Sequence, residues 1–144
     1  MCGGRGVVYA KNLFKAVSSM RTFDRFMGDV KVLSAGEGNI TAELKINEKL
    51  LNGGGTLHGG AIATAIDSIS TIGLMTVGEE AIPGVSVDLH VSYLSSVQEG
   101  DTVVLQSRLK KMGKTLAFLD VDVLDAETHK IIARGSHTKF VGGR

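Results

Sequence analysis

Residues 52–67 read NGGGTLHGGAIATAID. Glycines turn the backbone, His58 and two further glycines follow, and a run of small and apolar residues ends on one acid, Asp67. A glycine turn that opens a helix presents unpaired backbone N–H groups and the positive end of the helix dipole. Such a start can hold the oxygen of a polarised carbonyl, with Gly59 or Gly60 as donor and His58 alongside; one donor of this kind is worth about 3 kcal/mol of barrier. A plain tight turn before a helix needs the same glycines, so spacing alone leaves both readings open. A nucleotide-phosphate loop fits poorly, because neither the dinucleotide spacing nor a Gly-Lys-Ser/Thr ending is present.

Asp67 sits among residues that all read as buried, and a carboxylate buried without a partner is costly. It lies eight positions past Gly59, roughly 12 Å along a helix rising 1.5 Å per residue. Two groups so far apart cannot act on one bond within one chain. If both are catalytic, the acid must come from a second subunit whose helix packs alongside. A structural hydrogen bond to a helix terminus is the alternative.

Other clusters carry weaker chemistry. His58, His90, His129 and His137 show no metal-ligand spacing, and the single cysteine, Cys2, cannot complete a zinc set. His90 and His137 read as ordinary polar residues on strand faces. Ser86, Asp88 and His90 share a face by alternation, but no strand-to-helix elbow presents the serine as a nucleophile. Asp120 and Asp122 read as a solvated sheet surface.

The elements that must position these residues follow from periodicity. Residues 9–27 place Leu13, Val17, Met20, Phe23, Phe26 and Met27 at helical spacing. A strand hairpin follows around the glycines at 36 and 38, and a weakly polar helix over about 59–77. In VSVDLHVSYL the alternation puts Val85, Val87, Leu89, Val91 and Tyr93 on one face, and Ser86, Asp88, His90 and Ser92 on the other. Three more strands run to Phe140, broken by turns at KKMGK and DAETHK. Strands in succession imply an antiparallel sheet, and one apolar helix lacking a charged face fits inside its curve. The predicted class is α+β, with about six strands round a long central helix. Residues 1–10 read as a tail and 11–144 as one domain.

Composition sets limits. The chain has 144 residues, 22% of them charged, and a formal net charge of +1, which gives no footing for nucleic acid. The stretch 50–78 carries Asp67 as its one formal charge, but its glycines, serines and threonines and its central acid suit a helix inside a water-soluble fold better than a membrane span. The N-terminus has Arg5, Lys11, Lys15 and Arg21 before its first acid, Asp24. That bias fits the exposed face of a first helix and also a mitochondrial presequence. Cysteine scarcity points to a reducing compartment, cytoplasmic or mitochondrial.

GTLHGGAIATAIDSIST, PGVSVDLHVSYL and GKTLAF together resemble the hotdog-fold acyl-CoA thioesterases, over about residues 11–140. The resemblance implies a homo-oligomer in which subunits pair sheet edge to sheet edge and pairs form tetramers. It implies that Asn52 and His58 lie near a thioester, that the Gly59 N–H polarises its carbonyl, and that Asp67 of the partner acts as general base or nucleophile. Ser86 would orient the water. Coenzyme A contacts would fall on Tyr93, Leu94, Ser95 and Ser96, on Lys111, Met112, Gly113, Lys114 and Thr115, and near Phe140. Lys111 and Lys114 suit a phosphate-rich ligand. Relatives read Ser-Pro-x-Lys after the tyrosine, whereas this chain has SSVQ at 95–98, so Gln98 offers no positive charge. No metal or separate cofactor is implied, since coenzyme A belongs to the substrate. A non-catalytic acyl-CoA binding module on the same fold is the alternative function. A hydratase would normally bring an Asp and a His in one short loop ahead of its helix, which this sequence lacks.

Overall fold

The computed structural model describes residues 5–142. Its elements run α1 (Val7–Ser19), a 3-10 turn (Arg25–Asp29), β1 (Lys31–Gly36), β2 (Asn39–Lys45), a short 3-10 turn (Glu48–Leu50), α2 (Gly59–Leu74), β3 (Val85–Tyr93), β4 (Thr102–Met112), β5 (Leu116–Asp125) and β6 (Ile131–Phe140). All six strands form one antiparallel sheet in the order β1-β2-β4-β5-β6-β3. The sheet curls round α2, the hotdog arrangement expected from the resemblance.

Helix α2 sits inside because it has almost nothing to keep outside. Ile62, Ala65, Ile66 and Ile69 are buried with Ile40, Ala42 and Leu44 of β2, Val103 and Leu105 of β4, and Val121 and Val123 of β5 in one apolar cluster. Each fully buried isoleucine contributes about 1.5–3 kcal/mol. Close approach depends on Gly135 in β6: a Cβ there would meet Ile66 Cγ2 at 2.6 Å. The helix ends at Met75, where the Thr76 hydroxyl donates to the Gly73 carbonyl and accepts from Gly38 N–H.

The N-terminal helix differs from the sequence expectation at both ends. It begins at Val7, with Ala10 buried, so residues 7–10 form its first turn rather than part of a tail. It stops at Ser19, not near residue 27. Met20 is extended, and the hydroxyls of Ser18 and Ser19 donate back to the Lys15 and Ala16 carbonyls. Serine hydroxyls that bond the local backbone compete with helix continuation. Met27 is buried all the same, delivered by the 3-10 turn. Cys2 lies outside the described residues.

Strand β3 also departs from simple alternation. Its register with β6 shifts between Ser86 and Asp88: Ser86 pairs with Lys139 and Asp88 with Thr138, leaving Val87 as an extra residue. A β-bulge of this kind re-aims the side chains on either side of it. Ser86 therefore faces inward with Leu89 and Val91, not outward with Asp88 and His90.

Gly135→Ala should destabilise the fold by about 1–3 kcal/mol, because the added methyl overpacks the helix–sheet contact. Urea unfolding would measure it, and an unchanged midpoint would refute the tight contact.

Candidate active site

Two clusters of polar groups flank α2, one at its start and one past its middle. At the start, Asn52 organises the glycine turn: its Oδ1 accepts from the N–H groups of Gly54 and Thr56, and its Nδ2 donates to Thr56 Oγ1. His58 caps the helix, its Nδ1 accepting from Gly60 N–H at 2.8 Å. That bond occupies Gly60. The neighbouring Gly59 N–H has no partner among the described residues, and of the two it is the donor left for a ligand oxygen. The Tyr93 hydroxyl donates to the Gly59 carbonyl at 3.0 Å and its ring closes over the glycine, so that a Cβ at this position would meet the ring at 3.3 Å.

The second cluster gathers Asp67, Ser70 and Thr71 of α2, Ser86 of β3, and His137 and Lys139 of β6. His137 is 1% exposed. Its Nδ1 lies 2.7 Å from Ser70 Oγ and its Nε2 2.7 Å from Ser86 Oγ. Asp67 Oδ1 is 3.7 Å from that Nε2. Lys139, also buried, donates from Nζ to Thr71 Oγ1 at 2.6 Å, and Thr71 Oγ1 stands 3.5 Å from Asp67 Oδ1. Burial holds the His137 pKa below its ordinary value, and the Lys139 ammonium pushes it the same way, against opposing pulls from Asp67 and Asp88. Burial likewise lowers Lys139, opposed by Asp67.

Sequence reasoning misjudged two members of this cluster. Asp67 is not enclosed; its side chain is 47% exposed in the single chain. His137 is not an ordinary strand-face residue, and Lys139 was missed. Both occupy inward positions of β6, in step with Ala133 and Gly135, and a polar pair in the buried phase of an alternating strand was the available signal.

The cluster opens on a cavity of about 470 Å³ between α1, α2 and the start of β3. Asp67, Ser86, Thr71 and Lys139 stand at its polar side; Leu13, Val17, Met20 and Met75 supply apolar wall. Within one chain the other expected contacts split. Tyr93, Leu94, Ser95 and Ser96 lie at one end of β3, near Gly59. Phe140 lies at the other end, opposite Val85, beside the Lys111–Thr115 turn through the Val141 N–H to Thr115 carbonyl bond. The eight residue steps from Val85 to Tyr93 span roughly 25 Å. Gln98 has its N–H on Asp101 Oδ2. Asp120 pairs with Lys110, and Asp122 with Arg108 and Arg134, on the outer sheet face. Among the described residues no three His, Cys, Asp or Glu side chains converge as metal ligands, and no helix is long and apolar enough to cross a membrane.

The helix-in-sheet architecture is that of the hotdog thioester hydrolases, and the chain belongs to the thioesterase superfamily, whose family model matches residues 54–132. It is 42% identical to human acyl-coenzyme A thioesterase 13 over 132 residues, covering 92% of this chain and 94% of the relative. The crystal structure of zebrafish thioesterase superfamily member 2 superposes with a TM-score of 0.91 at 40% identity, covering 94% of this chain and 98% of that one. A Streptococcus mutans protein solved bound to acetyl CoA superposes at 0.76 with 28% identity, covering 88% and 95%.

Because His137 is pushed below 6.5, the unfolded chain binds a proton near that pH that the folded chain refuses. Its contribution to stability is complete above pH 6.5 and is lost as pH falls from 6.5 toward the lower folded value. Urea midpoints from pH 7.5 to 5 should fall, and His137→Asn should flatten that slope; equal slopes in both proteins would count against the buried neutral imidazole.

Proposed function

We propose that the protein hydrolyses medium- to long-chain fatty acyl-CoA to free fatty acid and coenzyme A, at sites shared between two copies of the chain. Water adds to the thioester carbonyl. Asp67 of one subunit takes a proton from that water, and the Gly59 N–H of the other holds the developing oxyanion. Collapse of the tetrahedral adduct breaks the C–S bond, and the thiolate leaves to become the thiol of coenzyme A. Ser86 accepts a hydrogen from the attacking water, and His58 and Asn52 shape the loop that presents Gly59.

The observation that carries this reading is the split of the site along one helix. Gly59 and Asp67 stand on the same rod, eight residues apart, so neither completes a site alone. Strand β3 is an open sheet edge, with Val85 and Val87 67% and 60% exposed. Two such edges paired antiparallel would bring the Tyr93 end of one chain beside the Val85 end of the other. Gly59 would then approach the partner's Asp67, and Tyr93, Leu94, Ser95 and Ser96 the partner's Lys111–Thr115 turn and Phe140. One pairing joins both halves of the catalytic set and both halves of the coenzyme A set. The apolar cavity beside Asp67 suits the fatty chain, and two such pairs would form the tetramer. The names of the relatives, and the acetyl CoA bound in the Streptococcus mutans structure, support the substrate class.

A free-thiol release assay across acyl chain lengths tests the activity. Asp67→Asn should lower turnover by at least about a hundredfold while the oligomer persists. Near-normal turnover would remove Asp67 from the chemistry, and wild-type protein that binds acyl-CoA without releasing thiol would leave a binding module instead.

Sharing is tested by complementation. Gly59→Pro deletes the N–H at the first helical position, where proline is tolerated, and His58 already has the extended backbone proline requires. Mixed with Asp67→Asn, half the pairs are hybrids with one intact site of two, so about a quarter of wild-type activity should return from two inactive parents. No recovery in verified hybrids would place both groups in one chain's site.

A further inference from the structure

We infer that Ser70, buried behind the site, sets the hydrogen-bond direction of the His137–Ser86 pair and so makes the Ser86 oxygen an acceptor for water. The catalytic consequence rests on the proposed thioesterase reading; the hydrogen-bond direction does not.

The argument is a count of hydrogens. Ser70 Oγ has one hydrogen and three close polar neighbours: the Ile66 carbonyl at 2.7 Å, the Asp67 carbonyl at 3.0 Å and His137 Nδ1 at 2.7 Å. If the hydroxyl donated to Nδ1, two oxygens would face each other at 2.7 Å with no hydrogen between them, in a site that is 0% exposed at Ser70. Donation to the carbonyl one helical turn back removes that repulsion and leaves the Ser70 lone pairs for the imidazole. His137 must then donate from Nδ1–H.

The other ring nitrogen follows. Burial and the Lys139 ammonium hold the imidazole neutral, although Asp67 and Asp88 pull the other way. A neutral ring with its hydrogen on Nδ1 offers a bare lone pair at Nε2. Ser86 therefore donates its hydrogen to Nε2 across 2.7 Å. Its oxygen keeps only acceptor capacity toward the cavity, where Asp67 is also an acceptor. A water between them gives one hydrogen to each and aims its remaining lone pair at the thioester carbon. In the opposite tautomer, Nε2–H would donate to Ser86, and the serine hydrogen would compete with water for Asp67. Ser70 touches neither substrate nor water in this arrangement; it is a positioning residue acting through His137.

The experiment is nitrogen NMR on wild-type enzyme with 15N-labelled histidine, His137 being assigned by its absence in His137→Asn. At pH 7.5 without substrate, His137 should show protonated Nδ1 and unprotonated Nε2. The opposite tautomer, an even mixture or a cationic ring would overturn the inference, whether or not the protein hydrolyses any thioester. Ser70→Ala should move the hydrogen toward Nε2 and lower kcat by roughly tenfold with KM little changed, as expected when a reacting water is misaimed. Ser70→Thr, which keeps the hydroxyl, should restore the Nδ1–H form. A Ser70→Ala protein that loses only thermal stability, with tautomer and kcat unchanged, would show that Ser70 merely packs.

Discussion

The constraint on which this structure turns is that one rigid helix carries both an unpaired amide at its first residue and a carboxylate two turns later. An α-helix does not bend to bring such positions together. Burial on the concave face of the sheet removes what freedom remained, since Ile62, Ala65, Ile66 and Ile69 are locked against β2, β4 and β5. Under the proposed mechanism, a chain built this way would hold half of each of two sites. The rest of the proposed mechanism, the sheet edge that pairs and the substrate that spans two subunits, follows from that separation.

The second cluster shows how polar groups survive inside the layer between helix and sheet. Ser70, His137 and Lys139 are each almost wholly enclosed. A buried polar group left unmade costs about 1–3 kcal/mol, so the set persists because its members satisfy one another. Ser70 answers a helix carbonyl and the imidazole, and Thr71 answers Lys139. Only Ser86 comes from the exposed edge, and it joins solely because the extra residue Val87 shifts the register. Without that bulge, strand alternation would turn Ser86 outward and leave His137 Nε2 unpartnered.

Much of this was legible in the residues, and what was hidden has definite causes. The alternation of β2 and the apolar run after the glycine turn marked out the helix-in-sheet layout, and the same turn with Asp67 supplied the groups that the proposed mechanism uses. The bulge was invisible because VSVDLHVSYL alternates without a break: the extra residue shows only against the partner strand. The end of α1 was misjudged because Phe23, Phe26 and Met27 keep helical spacing through a segment whose backbone has turned. Phe23 is in fact 85% exposed. His137 and Lys139 escaped because polar residues on a strand are assigned to solvent by default, and their phase in β6 was not weighed against Ala133 and Gly135.

Strand β3 joins these observations. Its bulge turns Ser86 toward His137 while Val85 and Val87 stay exposed along an edge with unsatisfied backbone groups. An open apolar edge is a liability in a monomer, and bulges more often serve to blunt one. Here the bulge lies inside the strand that the proposed pairing would use, so the feature that brings Ser86 to His137 would also shape the surface that completes the proposed oxyanion site. Assembly and chemistry then draw on the same nine residues. Under the proposed pairing, covering the apolar edge and forming the active site would be a single event.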